Sequence, residues 1–157
     1  MGAIRLRSDV ERKRLFGLSA LQESRPEQNI YSTAATQRTY AHLHETARTL
    51  LAANCTVIVD AAFLKHEERE IFRKLAQESG ASFAIASLQA DDATLRARIL
   101  QRKNDASEAD LAVLEKLQAV QEPLTPQELR YAAVFAADVD SAWNSLDELL
   151  RSSAPRL

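Results

Sequence analysis

The stretch Cys55–Phe63, CTVIVDAAF, constrains the fold more than any other part of the sequence. β-Branched residues fill positions 56–59 and lead directly to Asp60. Such a short, largely apolar run predicts a strand that is buried on both faces, as in a parallel sheet. An acid at the end of this strand lies where open α/β sheets bind ligands. The alternative is that Asp60 serves only as a turn residue or helix N-cap.

Strands and helices are predicted to alternate along the chain. Strands are predicted at 3–6, 55–60, 82–88 and 131–136, and helices at 9–17, 33–53, 66–78, 92–103, 107–122 and 141–151. This alternation indicates βαβ units and a largely parallel sheet with helices on both faces, which is an α/β fold. Repeats and linker-like segments are absent from the sequence, so we expect a single domain over residues 1–157.

Composition excludes several classes of function. The 157 residues carry a formal net charge of −2, which gives no basic field for general binding to nucleic acid or anionic membranes. The one cysteine, Cys55, cannot form an internal disulfide and is predicted to be inert core. Neither a signal peptide nor a membrane-spanning run is evident, so we expect a cytoplasmic protein.

A first group of candidate residues surrounds the start of the first helix. The segment Arg7-Ser8-Asp9 follows the first strand, and Arg12 lies three residues after Asp9, on the same helical face. An aspartate there can accept the proton of an attacking hydroxyl, and an arginine can bind an anionic group. A helix cap with a surface ion pair is the alternative. The polar stretch 21–30 is predicted to be a loop that closes over the site.

A second group comprises the acid Asp60 and two arginines further along the chain. A carboxylate at Asp60 can hold Mg²⁺ or its water shell. Arg98 and Arg102 are four residues apart on one helical face, where they can neutralise charge on a transferred phosphoryl group. The alternative is a solvated basic face paired with Asp91, Asp92 or Asp105.

Four segments together resemble a known family: IRLRSDVERKRL at 4–15, IYSTAATQRTYAHLHETARTLL at 30–51, VIVDAAFLKHEER at 57–69 and LRARILQRKNDASEADLAVLEKLQ at 95–118. They resemble the P-loop kinase-like ATPases often fused behind aminoglycoside-phosphotransferase-like domains. More distantly, they are similar to polynucleotide 5′-kinases, zeta-toxin kinases and gluconate kinases. The resemblance implies a three-layer parallel sheet of the P-loop NTPase kinase type. It also implies transfer of the ATP γ-phosphate to a hydroxyl of a small-molecule substrate, with ATP and Mg²⁺ required.

The resemblance assigns a role to each candidate residue. Asp9 matches the candidate general base for the substrate hydroxyl, and Asp60 matches the Walker-B-like acid near Mg²⁺. Arg98 and Arg102 match the arginines of a lid, at about 96–110, that contact the ATP phosphates. The substrate-binding set comprises Arg7, Ser8 and Arg12.

One element of the family is missing from these residues. The phosphate-binding loop GxxxxGK[ST] does not occur, and the chain begins where the family's second strand begins. The family's first strand lies between the strands equivalent to 55–60 and 82–88, so we expect these two to expose unpaired edges or to pair with each other. We therefore expect the chain alone not to turn over ATP, and an upstream domain or second chain to complete the sheet. The alternative is a non-catalytic binding module derived from such a kinase.

Overall fold

A computed structural model describes residues 2–136 and 139–152, without the side chain of Val139. The strands are β1 (Ala3–Arg7), β2 (Thr56–Asp60), β3 (Ile85–Leu88) and β4 (Ala132–Phe135). The helices are α1 (Ser8–Leu15), α2 (Thr33–Ala52), α3 (His66–Glu78), α4 (Asp92–Gln101), α5 (Leu111–Val120) and α6 (Val139–Ser152), and two short 3₁₀ segments cover Pro26–Gln28 and Glu128–Tyr131. Within this part of the chain, none of the helices is long and apolar enough to cross a membrane.

The strands form two separate parallel pairs. β1 pairs with β2 in a register that places Arg7 opposite Asp60, and β3 pairs with β4. Over the described residues, β2 and β3 do not pair with each other, so each has one unpaired edge. These two strands were predicted either to expose unpaired edges or to pair with each other, and the structure has the unpaired edges. The predicted parallel pairing is confirmed.

Strand burial differs from the prediction. Ile58 in β2 is 52% exposed, whereas that strand was predicted to be buried on both faces, and Leu88 in β3 is 80% exposed. β3 is also shorter than the predicted 82–88. A pair of strands leaves much of its surface in solvent, because burial on both faces requires a continuous sheet under helices. Cys55 is accordingly half-buried and not in the core.

The core forms around α2, which lies close to the predicted position 33–53. Leu43 is fully buried and packs with Leu6, Ala47, Phe72 and Leu75. The helix begins after Ser32, whose hydroxyl accepts a hydrogen bond from the Ala35 N–H at 3.2 Å. It is followed by Asn54 in the left-handed conformation, at φ 57°. Local signals in the sequence therefore define this helix.

Helix α3 has the predicted bounds, but its apolar residues do not all face the core. Phe72 and Leu75 are buried, but Ile71 is 45% exposed because adjacent helical residues project about 100° apart. A buried ion pair fastens the helix to the second 3₁₀ segment: Arg69 Nε lies 2.6 Å from a carboxylate oxygen of Glu128. This contact takes the place of apolar packing at that end of α3.

Three helix starts differ from the prediction, and one of them is that of α6, which begins at Val139 and not at 141. Asp9 lies in the first turn of α1 and does not cap it, since the helix already begins at Ser8. α5 begins at Leu111 after Asp110, whose side chain accepts a hydrogen bond from the Val113 N–H. Ser107 was predicted to start that helix, but residues 102–110 form neither helix nor strand. Side chains in this segment instead make long-range contacts with the start of the chain.

Candidate functional site

Helix α1 buries charged side chains where most helices bury apolar ones. Glu11, Arg12 and Lys13 are all buried, at 5%, 6% and 1% exposure. Each therefore requires a polar partner. Glu11 accepts a hydrogen bond from Arg14 at 2.6 Å and lies 3.2 Å from His42 Nε2. Glu11 and Lys13 were not predicted as site residues, although a charged run directly after a strand is a usable signal.

Arg12 fastens the 21–31 loop to α1. Its Nη1 donates to the carbonyl of Ile30 at 2.8 Å and to the Thr36 hydroxyl at 3.2 Å, and its guanidinium stacks 5.1 Å from the Tyr31 ring centre. Burial lowers the pKa of Arg12. Its Nε is buried without a hydrogen-bond partner. Arg12, which was predicted to bind substrate, thus makes its contacts inside the protein and fixes the position of the loop.

Tyr31 connects the candidate base to the segment after α4. Its hydroxyl donates to Asp9 Oδ1 at 3.3 Å and accepts a hydrogen bond from the Glu108 N–H at 3.0 Å. Burial, and then the charge of Asp9, raise the pKa of Tyr31. Sequence reasoning missed Tyr31, because a single tyrosine at a loop end carries no periodic signal. The hydroxyl of Tyr31, which lies just before α2, holds Asp9 in one orientation.

Glu108 is bound by three donors. Its Oε1 lies 2.9 Å from Lys13 Nζ and accepts the Ser24 N–H at 2.9 Å, while its Oε2 accepts the Ser24 hydroxyl at 2.6 Å. Desolvation opposes ionisation of this carboxyl, but the hydrogen bonds from Lys13 and Ser24 hold the pKa of Glu108 below its usual range. These contacts join α1, the polar loop and segment 102–110.

Arg7 lies among three carboxylates at the end of the β1–β2 pair. It donates to Asp105 at 2.5 Å, and that hydrogen bond, assisted by the charges of Asp9 and Asp60, raises the pKa of Arg7. Asp60 is also paired with Arg5, whose Nε lies 2.9 Å from its Oδ2. The predicted residues Arg7, Asp9 and Asp60 are thus brought to the same end of the parallel pair.

The acids do not form a metal site by themselves. In the part of the chain that the structure describes, no group of three or more metal-ligating side chains is placed to hold an ion. Asp60 presents one carboxylate, and Arg5 already neutralises it. A kinase Mg²⁺ site needs only one or two protein carboxylates, since water and the substrate's phosphates supply the other ligands, and Asp60 is the candidate for this role.

The lid arginines are separate from this cluster. Arg98 is exposed on α4, and Arg102 is exposed just after it, where it donates to the Ala109 carbonyl at 3.4 Å. Arg96 pairs with Asp92 at 2.7 Å and with Glu115 at 3.3 Å, as a solvated basic face would. Arg98 and Arg102 are thus accessible to an anion.

Ser8 is the first residue of α1 and is half-buried beside Asp9. A cavity of about 480 Å³ lies at the start of α3 and is lined by other residues: His66, Thr125, Pro126, Gln127 and Arg130. None of the sequence-predicted site residues lines it. The candidate site is therefore defined by its charged network and not by this cavity.

Comparisons with known proteins agree with this architecture. A family model described as an AAA domain matches residues 1–124. A gluconokinase from Sinorhizobium meliloti 1021 has a similar fold, with a TM-score of 0.55 at 20% identity, over 96% of this chain and 81% of that chain. A search of the curated proteins finds no significant match. The structural likeness confirms the predicted α/β fold.

Proposed function

Because the chain belongs to the AAA-domain family, a P-loop kinase-like group of nucleotide-binding domains, we propose that it forms the substrate and lid side of an ATP-dependent phosphotransferase. The reaction moves the γ-phosphate of ATP to a hydroxyl of a small molecule. One observation carries this proposal: Asp9 is oriented by Tyr31 at the end of the β1–β2 pair that also carries Asp60.

Asp9 is the proposed general base. Tyr31 occupies its Oδ1, and among the described residues its Oδ2 has no hydrogen-bond donor, so Oδ2 is available to a substrate hydroxyl. Asp9 accepts the hydroxyl proton as the oxygen attacks the γ-phosphorus. The bond from that phosphorus to the β–γ bridging oxygen breaks, and ADP leaves.

Charge on the transferred group is neutralised by Arg98 and Arg102 in this proposal. Their exposure supports it, because an arginine already paired with a carboxylate would be less available to a phosphate. P-loop kinases generally use ATP with Mg²⁺, which screens the phosphate charge. Asp60 is proposed to hold that Mg²⁺, directly or through its water shell, and the step above is written with protein groups only. Arg7 and Ser8 are proposed to line the substrate side, and Arg12, which is buried and bonded to Ile30 and Thr36, is proposed to position that wall from behind.

The phosphate-binding loop has to come from outside these residues. Residues 1–157 contain no GxxxxGK[ST], so we propose that they do not turn over ATP alone. The unpaired edges of β2 and β3 support completion of the sheet by a strand from an upstream domain or a second chain.

Asp9→Asn tests the role of the base in a version of the domain that includes a phosphate-binding loop. We expect phosphoryl transfer to be lost and the Tm to stay within about 2 °C, because the amide keeps the bond to Tyr31. Asp147→Asn, which removes an exposed acid on α6 paired with Arg151, is the matched control and should leave transfer unchanged. Unchanged transfer in Asp9→Asn would remove Asp9 from the mechanism.

A non-catalytic binding module is the second candidate. The exposed apolar side chains Ile58 and Leu88, on strands with unpaired edges, favour it. It predicts that the chain self-associates or captures another strand, and that Ile58→Lys weakens this. Sedimentation velocity over a range of concentrations measures the association. A monomer at every concentration would argue against self-association.

A further inference from the structure

We propose that Lys13 and Ser24 form a binding site for a substrate carboxylate, and that the chain's own Glu108 occupies this site in the present structure. The inference rests on the proposed function only for the position of the reacting hydroxyl, at Asp9. The carboxylate site itself is defined by contacts that do not depend on that function.

The site matches a carboxylate in charge and in shape. Lys13 Nζ and the Ser24 N–H reach one oxygen, both at 2.9 Å, and the Ser24 hydroxyl reaches the other at 2.6 Å. Lys13 is 1% exposed, so its charge is largely withdrawn from solvent. One buried ammonium balances one carboxylate, whereas a phosphate dianion would be left with uncompensated charge. Arg12, the next cation along α1, is committed to Ile30 and Thr36 and offers no second charge.

The present occupant is attached in a way that permits exchange. Residues 103–109 make no backbone–backbone hydrogen bond to other described residues. Polar side-chain contacts, chiefly Asp105 to Arg7 and Glu108 to Lys13 and Ser24, hold the segment together with the buried Ala106 methyl group. Departure of Glu108 alone would leave a buried, unpaired Lys13, which is strongly unfavourable. Replacement by another carboxylate avoids that cost, so exchange is favoured over simple opening.

The position of the site indicates the class of substrate. Lys13 lies four residues after Asp9, so the two side chains share one face of α1 with Cβ atoms roughly 5–6 Å apart. Tyr31 links Asp9 to Glu108 and so spans the same interval. A small hydroxycarboxylic acid can therefore place its carboxylate at Lys13 and its hydroxyl at Asp9. A hydroxyl three carbons removed from the carboxylate is the length that we choose to test this span.

Glu108→Ala with added acetate tests the site directly, since acetate replaces the group that the substitution removes. We expect the variant to lose roughly 5–10 °C in Tm and rising acetate to restore it. Neutral acetamide should have no effect, and Lys13→Met/Glu108→Ala should not respond to acetate. Glu115→Ala, which removes an exposed acid paired with Arg96, is the matched control and should also not respond. A folded Glu108→Ala variant that ignores acetate would overturn the proposal, as would restoration by inorganic phosphate in place of acetate.

Hydrogen exchange in the wild-type chain tests the carboxylate site even if the Glu108→Ala variant fails to fold. The probe is 4-hydroxybutyrate, and the readout is the Glu108 amide, which is bonded to Tyr31. Displacement should accelerate the exchange of this amide about tenfold when the probe concentration is ten times the Kd for binding to the chain with Glu108 out of the site. No acceleration by 4-hydroxybutyrate would overturn the proposal. Acetate rescue together with active Asp9→Asn would leave the carboxylate site standing and reject only the proposed base.

Discussion

Replacing Glu128 with glutamine tests how much a buried ion pair contributes to this fold. Glu128 is 1% exposed, and its hydrogen bond from Arg69 lowers the pKa of Glu128 from 4.5 to about 2. At about 1.4 kcal/mol per pKa unit, this shift corresponds to roughly 3 kcal/mol of folding free energy at pH 7. Because the pKa is lower in the folded state, the contribution is complete above pH 4.5. It is lost as the pH falls towards 2.

Urea unfolding followed by circular dichroism measures this contribution at two pH values. Glu128→Gln should be less stable than wild type by about 3 kcal/mol at pH 7 but by only about 1 kcal/mol at pH 3, where wild type has lost most of the benefit. The control is Asp147→Asn, which breaks an exposed ion pair with Arg151 and should leave the urea midpoint unchanged. A difference between Glu128→Gln and wild type that is equal at both pH values would refute the reasoning.

Three further substitutions test the packing and the network. Lys13→Met leaves the Glu108 carboxylate without its cation and should cost about 3 kcal/mol in urea unfolding, whereas a loss below 1 kcal/mol would show that the pair is dispensable. Leu43→Ala opens a cavity in the core and should cost about 2–5 kcal/mol by the same measurement, and a smaller cost would mean that the core collapses around it. Ser32→Ala removes the N-cap of α2 and should lower the Tm by about 2–4 °C in calorimetry, with no change expected if the cap is redundant.

Elements specified by neighbouring residues could be predicted from the sequence. The helix predicted at 66–78 coincides with α3, because acids at its start, bases later and Gly80 just beyond it all act locally. α2 was equally predictable from its Ser32 cap and Asn54 stop. The alternation of such elements was sufficient to predict parallel strands.

The charged interior could not be predicted in the same way. Arg69 and Glu128 are 59 residues apart in the sequence. Glu108 follows α4 in the sequence and contacts Lys13 near the start of the chain, so no local pattern marks either pair. Hydrophobic periodicity detects only apolar faces, and α1 has none. The site prediction therefore included Asp9 and Arg12 but missed Tyr31. Glu108 was assigned to a helix start because acids are common there, and its long-range partners were not visible.

The most direct test of the central claim is a thermal-shift titration of the 157-residue chain with ATP and Mg²⁺, beside the Arg98→Ala/Arg102→Ala variant. A ligand that binds only the folded state must raise the Tm. Our account assigns the substrate base and lid to these residues and the phosphate cradle to a segment outside them. It therefore predicts no ATP-dependent rise for either protein. A rise in the wild-type chain would contradict it, since a phosphate site would then exist within these residues alone, and loss of that rise in the double variant would locate the site at Arg98 and Arg102.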